Sequence, residues 1–492
     1  MQENTEKPKL KHALGLLDGT MLVAGSMIGS GIFIVGADII RNVGSSGWLI
    51  AVWVITGFMT LTAAVSYGEL SGMFPKAGGQ YIYLKESYNK LVAFLYGWSF
   101  FAVIQTGTIA AVGVAFSKFL AYMVPAVSED HILYQLQWGA KDDGSPHVFA
   151  LNAAQLVSIA LIIVLTYINT RGVKGGKIIQ TTFTLTKLLS LFGLIIFGLL
   201  AMKPEIWHAN WANAWHMHSI DKAGNSTNTG LTTGVALGAI AAAMVGSIFS
   251  SDAWNSVTFI AGEMKNPKRN IGLSLFLGTL IVTIIYVSAN VMYTGVLSLH
   301  DIASAPKDRV AVAASTVIFG NVGTIIIAVM IMISTFGCNN GLILSGARVY
   351  YTMAKDGLFF KKTGELNKAA VPEFGLWIQC FVAAILCLSG TYGNLLDMIS
   401  FVVVLFYVLT IFGIFILRKK RPDAERPYKA FGYPVLPAIY IIMGLSFCGL
   451  LLRYKQEYTW PGLIIVLIGV PIYYIANRNN KNEDHEQETV TA

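Results

Sequence analysis

Residues Gly25–Phe33 read GSMIGSGIF and lie inside a charge-free run from Gly19 to Ala37. Three glycines and two serines weaken a helix at the middle of a membrane-length apolar stretch, because glycine costs backbone entropy and exposes peptide groups. In hydrocarbon an unpaired N–H or C=O costs several kcal/mol, so broken backbone persists only where protein or a water-filled cavity surrounds it. The stretch therefore points to a cavity and to something that fills it. Close helix packing through small residues such as Gly25 and Gly29 is the competing reading.

The chain around it is built for lipid. Of 492 residues, 54% are hydrophobic and 13% charged, against about 25% charged in a soluble domain. Mean hydropathy is +0.60. Apolar runs of roughly 20 residues, the length that spans a bilayer as helix, alternate with clumps of charge. They predict an all-α polytopic membrane protein of about twelve spans, centred near Ile28, Met59, Gly107, Ile162, Phe192, Met244, Ile281, Ile333, Ala383, Leu405, Gly444 and Val466. The net charge of +8 follows this topology. With the N-terminus inside, 24 of the 35 Lys and Arg fall on the inner side, 8 on the outer and 3 within spans (Lys118, Lys187, Arg348). The positive-inside rule then places both termini in the cytoplasm, in a cell membrane, and the basic balance is no sign of nucleic acid. Cys338, Cys380, Cys387 and Cys448 all fall in spans without metal-ligand spacing, so no disulfide, metal or cofactor is expected.

A second interruption matches the first. Span six is apolar as far as Gly246, reads GSIFSSDAWNS through Ser256, and then turns apolar again. Five spans separate the two interruptions, an odd number, which makes the halves opposite in membrane orientation. Paired interruptions at corresponding positions are the best sequence pointer to a transporter site. Broken helix ends offer N–H donors to an anion and carbonyls to a cation, so a midplane site with both suits a zwitterion such as an α-amino acid. Ser30 and Gly31 are the expected donors. The carbonyls of Met27, Phe249 and Asp252 are expected to take the amine, with Ile28 and Gly29 completing the first break.

These segments, together with FPKAGGQYIYLKESY (74–88), FSSDAWNSVTFIAGEMKNPKRNI (249–271) and RPDAERPYKAFGYPVLP (421–437), resemble the amino acid–polyamine–organocation (APC) transporter superfamily. They are most similar to the L-type amino acid transporters and their bacterial homologues. The resemblance implies the leucine-transporter fold, five plus five inverted helices and two C-terminal ones. On that basis the chain divides into a cytoplasmic tail (1–13), a first repeat (14–202), an extracellular loop (203–230), a second repeat (231–417), two further spans (418–477) and a cytoplasmic tail (478–492). The resemblance also implies that Ser30 and Gly31 bind the substrate carboxylate, that Phe249 is the outer gate, and that Asn255 and Tyr407 line the pocket. Asp252 is a departure, since several animal members carry glycine there.

Lys187, in TLTKLLSLF (184–192), is an ionisable residue inside an apolar run and so a functional candidate by default. The resemblance places it where sodium-coupled relatives hold sodium, with its ammonium replacing the ion. Snorkelling past Lys177, ten residues and roughly 15 Å away along a helix, is the alternative. Glu69 and Glu263 read as ion pairs near inner span ends. Cys338, Asn339 and Asn340 read as polar liners of span eight or as interhelical hydrogen bonds. Trp207, Trp211 and Trp215, four residues apart, predict one stripe of an interfacial helix.

The expected function is sodium-independent transport of neutral L-amino acids by alternating access, as an exchanger. A proton-coupled symporter using Lys187 or Asp252 is the alternative, and a non-transporting sensor a more distant one. No enzyme motif (HExxH, GxSxG or P-loop) is present. The animal relatives join a disulfide-linked single-span partner. The corresponding loop, Tyr122–Leu151, has no cysteine, so no such partner is expected.

Overall fold

The computed structural model describes residues 14–76, 78–139, 147–228, 232–389 and 392–490. The N-terminal tail expected over 1–13 and the last two residues of the expected C-terminal tail lie outside the described residues. The helices, in chain order, are α1 (Leu16–Met27), α2 (Gly31–Ile34), α3 (Gly36–Val43), α4 (Ser46–Met73), α5 (Gln80–Ser87) and α6 (Lys90–Ser99). A π-helical turn, Phe100–Ile104, joins α6 to α7 (Gln105–Met123). Then follow α8 (Ala153–Thr170), α9 (Val173–Leu200), α10 (Pro204–Trp211), α11 (Thr233–Ser250), α12 (Ser256–Phe259) and α13 (Pro267–Val296). The chain continues through α14 (Leu299–Ala303), α15 (Val310–Lys355), α16 (Glu373–Ser389), α17 (Tyr392–Lys420), α18 (Val435–Tyr454) and α19 (Gln456–Val490).

Among the described residues nine helices are long and apolar enough to cross a membrane, and three shorter apolar ones (Leu16–Met27, Glu373–Leu388, Thr459–Ile475) accompany them. The all-α polytopic reading holds, with every expected centre inside one of these segments or, for Ile28, at a break. The short first segment has a local cause. Ile28 leaves helical backbone at ψ 86°, and helix restarts only at Gly31. From there α2 runs through Val35 into α3, with the Ile39 amide bonded to the Val35 carbonyl.

Packing brings both breaks to the centre. α4 and α1 both pack on α13, while α7 and α9 both pack on α15. α11 packs against α3 and α4, with Thr56 Oγ1 2.7 Å from Ser247 Oγ. Gly31 meets α11 so closely that an added Cβ would sit 2.7 Å from Ser250 Cβ. Glycine there is what lets the two interrupted helices touch.

The two ends of the bundle are closed differently. At one end Arg41 bonds Asp308 at 2.6 Å, and Lys307 bonds Asp130 at 2.6 Å beside an antiparallel hairpin, β1 (Ile132–Trp138) and β2 (His147–Asn152). Lys307 and Asp308 are successive non-glycine residues at positive φ (56° and 62°). At the other end buried Glu69 takes Arg418 at 2.7 Å, Arg426 at 3.3 Å and the Ala430 amide at 2.7 Å, and Glu263 pairs with Arg348 at 2.9 Å. Both glutamates thus hold the ion pairs expected of them. The tryptophan stripe is shorter than expected: α10 stops at Trp211, whose ring is 4.9 Å from that of Trp207. Trp215 lies beyond the helix, edge-on to Trp48. A run of turns after Ala212 removes the third residue from the periodicity.

Candidate functional site

Where α1 ends, carbonyls lose the amides that would have closed the next turn. The Gly29 amide turns back to the Met27 carbonyl at 2.8 Å instead of reaching Gly25. Lys187 fills that deficit. It is 1% exposed, and its ammonium donates to the Gly25 carbonyl and, at 2.8 Å, to the Ile28 carbonyl. It does not snorkel. Ser334 adds a long contact of 3.4 Å to the Ile28 carbonyl. Tyr286 ties the two breaks together, its hydroxyl 2.9 Å from the Met27 carbonyl and 3.0 Å from the Ser250 carbonyl. On the other side of the first break, the restart at Gly31 leaves the first amides of the α2–α3 helix without intrahelical partners, as any helix start does.

The second break turns on Ala253, a non-glycine residue at φ 61°. Asp252 comes just before it, and Tyr407 donates its hydroxyl to Asp252 Oδ1 at 2.5 Å. Trp254 is buried between Tyr67 and Tyr407, with ring centroids at 4.8 and 5.1 Å. Asn255 donates to Gln80 Oε1 at 3.1 Å, and Gln80 donates to Thr410 at 3.0 Å.

Two cavities meet at this point. One is lined by Met27, Gly29, Ser30 and Gly31 from the first break and by Phe249, Ser250 and Asp252 from the second, with Cys338 beside them. The other is lined by Gln80, Gln105, Asp252, Asn255 and Tyr407 among others. Thr108, Asp252, Ala253 and Leu342 belong to both, so the Asp252–Ala253 corner joins them. The first cavity thus gathers residues of a helix start and an acidic residue, an arrangement that can hold a small molecule carrying both signs of charge.

Of the residues singled out from sequence, Met27, Gly29, Ser30, Gly31, Phe249 and Asp252 share the first cavity, while Asn255 and Tyr407 border the second. Ile28 takes part through its carbonyl alone; its side chain is fully buried in the core. The Met27 carbonyl, expected to face an amine, is engaged by Tyr286. Cys338 reaches the cavity. Asn339 and Asn340 instead bond neighbouring helices, at the Ile109 carbonyl (3.2 Å) and Asn169 (2.8 Å). Sequence reasoning did not single out Gln80, Gln105, Thr108, Tyr286 or Tyr392. The signal available for Gln105 was one amide side chain in an apolar run.

Comparison with known proteins adds relatives of full length. The family profile described as amino acid permease matches residues 14–480. The serine/threonine exchanger SteT of Bacillus subtilis (strain 168) is 29% identical over 474 residues, covering 96% of this chain and 98% of that one. The human large neutral amino acids transporter small subunit 2 is 28% identical over 473 residues, covering 95% and 80%. The b(0,+)-type amino acid transporter 1 of Mus musculus is 27% identical over 476 residues, covering 95% and 88%.

Proposed function

This chain belongs to the amino acid permease family of the APC superfamily, and on that premise we propose that it is a sodium-independent exchanger of neutral L-amino acids working by alternating access. The observation that carries the reading is the meeting of both helix breaks at one cavity, with Ser30, Gly31 and Asp252 among the residues that line it. The substrate carboxylate binds the amides at the start of α2 and the Ser30 hydroxyl, and its ammonium lies toward Asp252 and the carbonyls of the second break. The side chain enters the adjoining cavity past Thr108 and Leu342. Lys187 supports sodium independence, because its ammonium already occupies the carbonyls that a bound cation would need. Phe249 closes the cavity toward the Arg41 end, which is the extracellular end when both termini are cytoplasmic. In this reading one helix bundle rocks against the rest of the fold and exposes the site to each side in turn. The protein lies in the plasma membrane and functions without a disulfide-linked partner.

One observation favours a second reading. Asp252 lies in the cavity wall with a phenol bonded to it, so a proton taken up there would couple transport to pH. Uptake of labelled L-serine, L-threonine and L-leucine into proteoliposomes decides between the two. Uptake that requires unlabelled amino acid inside, and neither sodium nor a pH gradient, supports exchange. Uptake into empty vesicles driven by an acidic exterior overturns it in favour of proton symport.

A further inference from the structure

The carboxylate-binding serine and the gate phenylalanine touch the same side chain. Tyr392, at the start of α17, is 5% exposed. Its hydroxyl lies 3.1 Å from Ser30 Oγ. Its ring meets that of Phe249 edge to face, at 6.0 Å between centroids and 85°. Lys118 Nζ stands 5.7 Å from the centre of the same ring. Lys118 is in turn 3.9 Å from Asp308, the partner of Arg41. Contact therefore runs without a gap from the first helix break to the charged mouth of the bundle, and Tyr392 is its middle.

We propose that Tyr392 is a positioning residue that ties carboxylate binding at Ser30 to closure of the gate at Phe249; this rests on the carrier reading above. The chemistry is directional. A serine hydroxyl has one proton, so when Ser30 donates to a carboxylate it must accept from Tyr392. The sequence Tyr392 O–H to Ser30 O–H to carboxylate then fixes the serine rotamer, and each bond polarises the next. The phenol is held in turn by the serine, which keeps the ring edge against Phe249. A phenylalanine at 392 would preserve both ring contacts and lose only the first donor, whereas a leucine would lose the backing of the gate as well.

The test is exchange kinetics in proteoliposomes with labelled L-serine or L-leucine outside, comparing wild type, Tyr392→Phe, Ser30→Ala, the double variant and Tyr392→Leu. Removing one buried hydrogen bond predicts a rise of about 3- to 10-fold in external KM for Tyr392→Phe, with Vmax within about 2-fold of wild type. Because the phenol acts through the serine, the double variant should be no worse than Ser30→Ala alone. Tyr392→Leu should also release internal label into substrate-free buffer faster than Tyr392→Phe does. An unchanged KM in Tyr392→Phe, a loss confined to Vmax, or additive effects in the double variant overturn this inference alone. Failure of the wild type to exchange either amino acid overturns the carrier reading and this inference with it.

Discussion

Lys187 gives the sharpest test of how the first break is held. Its ammonium substitutes for two lost ladder bonds, at the carbonyls of Gly25 and Ile28, in a site 1% exposed. Replacing it by alanine strands the Gly25 carbonyl and leaves the Ile28 carbonyl only the 3.4 Å contact with Ser334. An unsatisfied buried acceptor costs about 1–3 kcal/mol, so the broken conformation loses at least that much support. Removing the buried charge relieves a desolvation cost of several kcal/mol, which acts on the fold as a whole. The two effects separate in different measurements. Global stability of Lys187→Ala should change little, whereas the bias toward the observed break weakens by at least about 1 kcal/mol, roughly 5-fold in exchange rate. Labelled amino acid counterflow in proteoliposomes reads the second, and thermal unfolding of the detergent-solubilised protein reads the first. Lys187→Gln, which keeps an N–H donor, should fall between wild type and alanine. Added sodium should partly restore Lys187→Ala, since the Gly25 and Ile28 carbonyls with the Ser334 hydroxyl are hard oxygen donors. An alanine variant that exchanges within about 3-fold of wild type would refute the bridging role assigned to the ammonium.

Gly31→Ala sets a Cβ 2.7 Å from Ser250 Cβ, and overpacking of about 1–3 kcal/mol predicts a 5- to 150-fold rise in KM, measurable by concentration-dependent exchange. Tyr407→Phe removes the 2.5 Å bond at the corner between the cavities, and Asp252→Asn keeps an acceptor there but removes the charge; competition assays should show altered preference among side chains in both. Glu69→Ala leaves Arg426, 7% exposed, without its carboxylate, and should cost about 3–5 kcal/mol in thermal stability with little change in KM. At the Arg41 end, hydrogen bonding to Lys307 holds the Asp130 carboxyl below its usual range, and the same bond raises Lys307. A lowered carboxyl loses its contribution only as pH falls through the lowered value, and a raised lysine only as pH rises through the raised one. The pair therefore stays intact from about pH 5 to pH 10, and wild type and Lys307→Ala should give exchange–pH profiles of the same shape over pH 5.5–8.5.

The breaks were legible in sequence because they violate a strict local rule. Glycine, serine and aspartate within hydrocarbon need a reason, and the reason is the same at Gly25–Phe33 and Gly246–Ser256. Lys187 was legible on equal grounds, being a charge with no apolar alternative. Ala253 gave no such signal, since nothing in its side chain marks a left-handed backbone. Tyr286 and Tyr392 are ordinary aromatic residues in apolar runs, and their roles depend on which distant carbonyl or hydroxyl packing brings beside them. Gln80 belongs to a short helix between spans, where an amide looks solvated until α12 and α17 close over it. The third tryptophan of the 207–215 stripe failed for the converse reason: periodicity marks where a helix could continue, and the turns after Ala212 stop it.

The π-helical turn at Phe100–Ile104 gives the pocket a means of change that no substitution offers. The Gln105 amide reaches back five residues to Phe100, so this turn contains one residue more than an α-helical ladder would hold. Tyr96 precedes it, and Gln105 and Thr108 follow it, all on the wall of the cavity that Asn255 and Tyr407 border. Deleting any one residue of the turn would let the ladder close as a plain α-helix and rotate one side against the other by about 100°. Either Tyr96 or the Gln105–Thr108 face would then leave the wall. Loss of a single codon can therefore turn one side of this helix's lining away from the pocket at once, with its length, its hydropathy and its span of the bilayer almost unaltered.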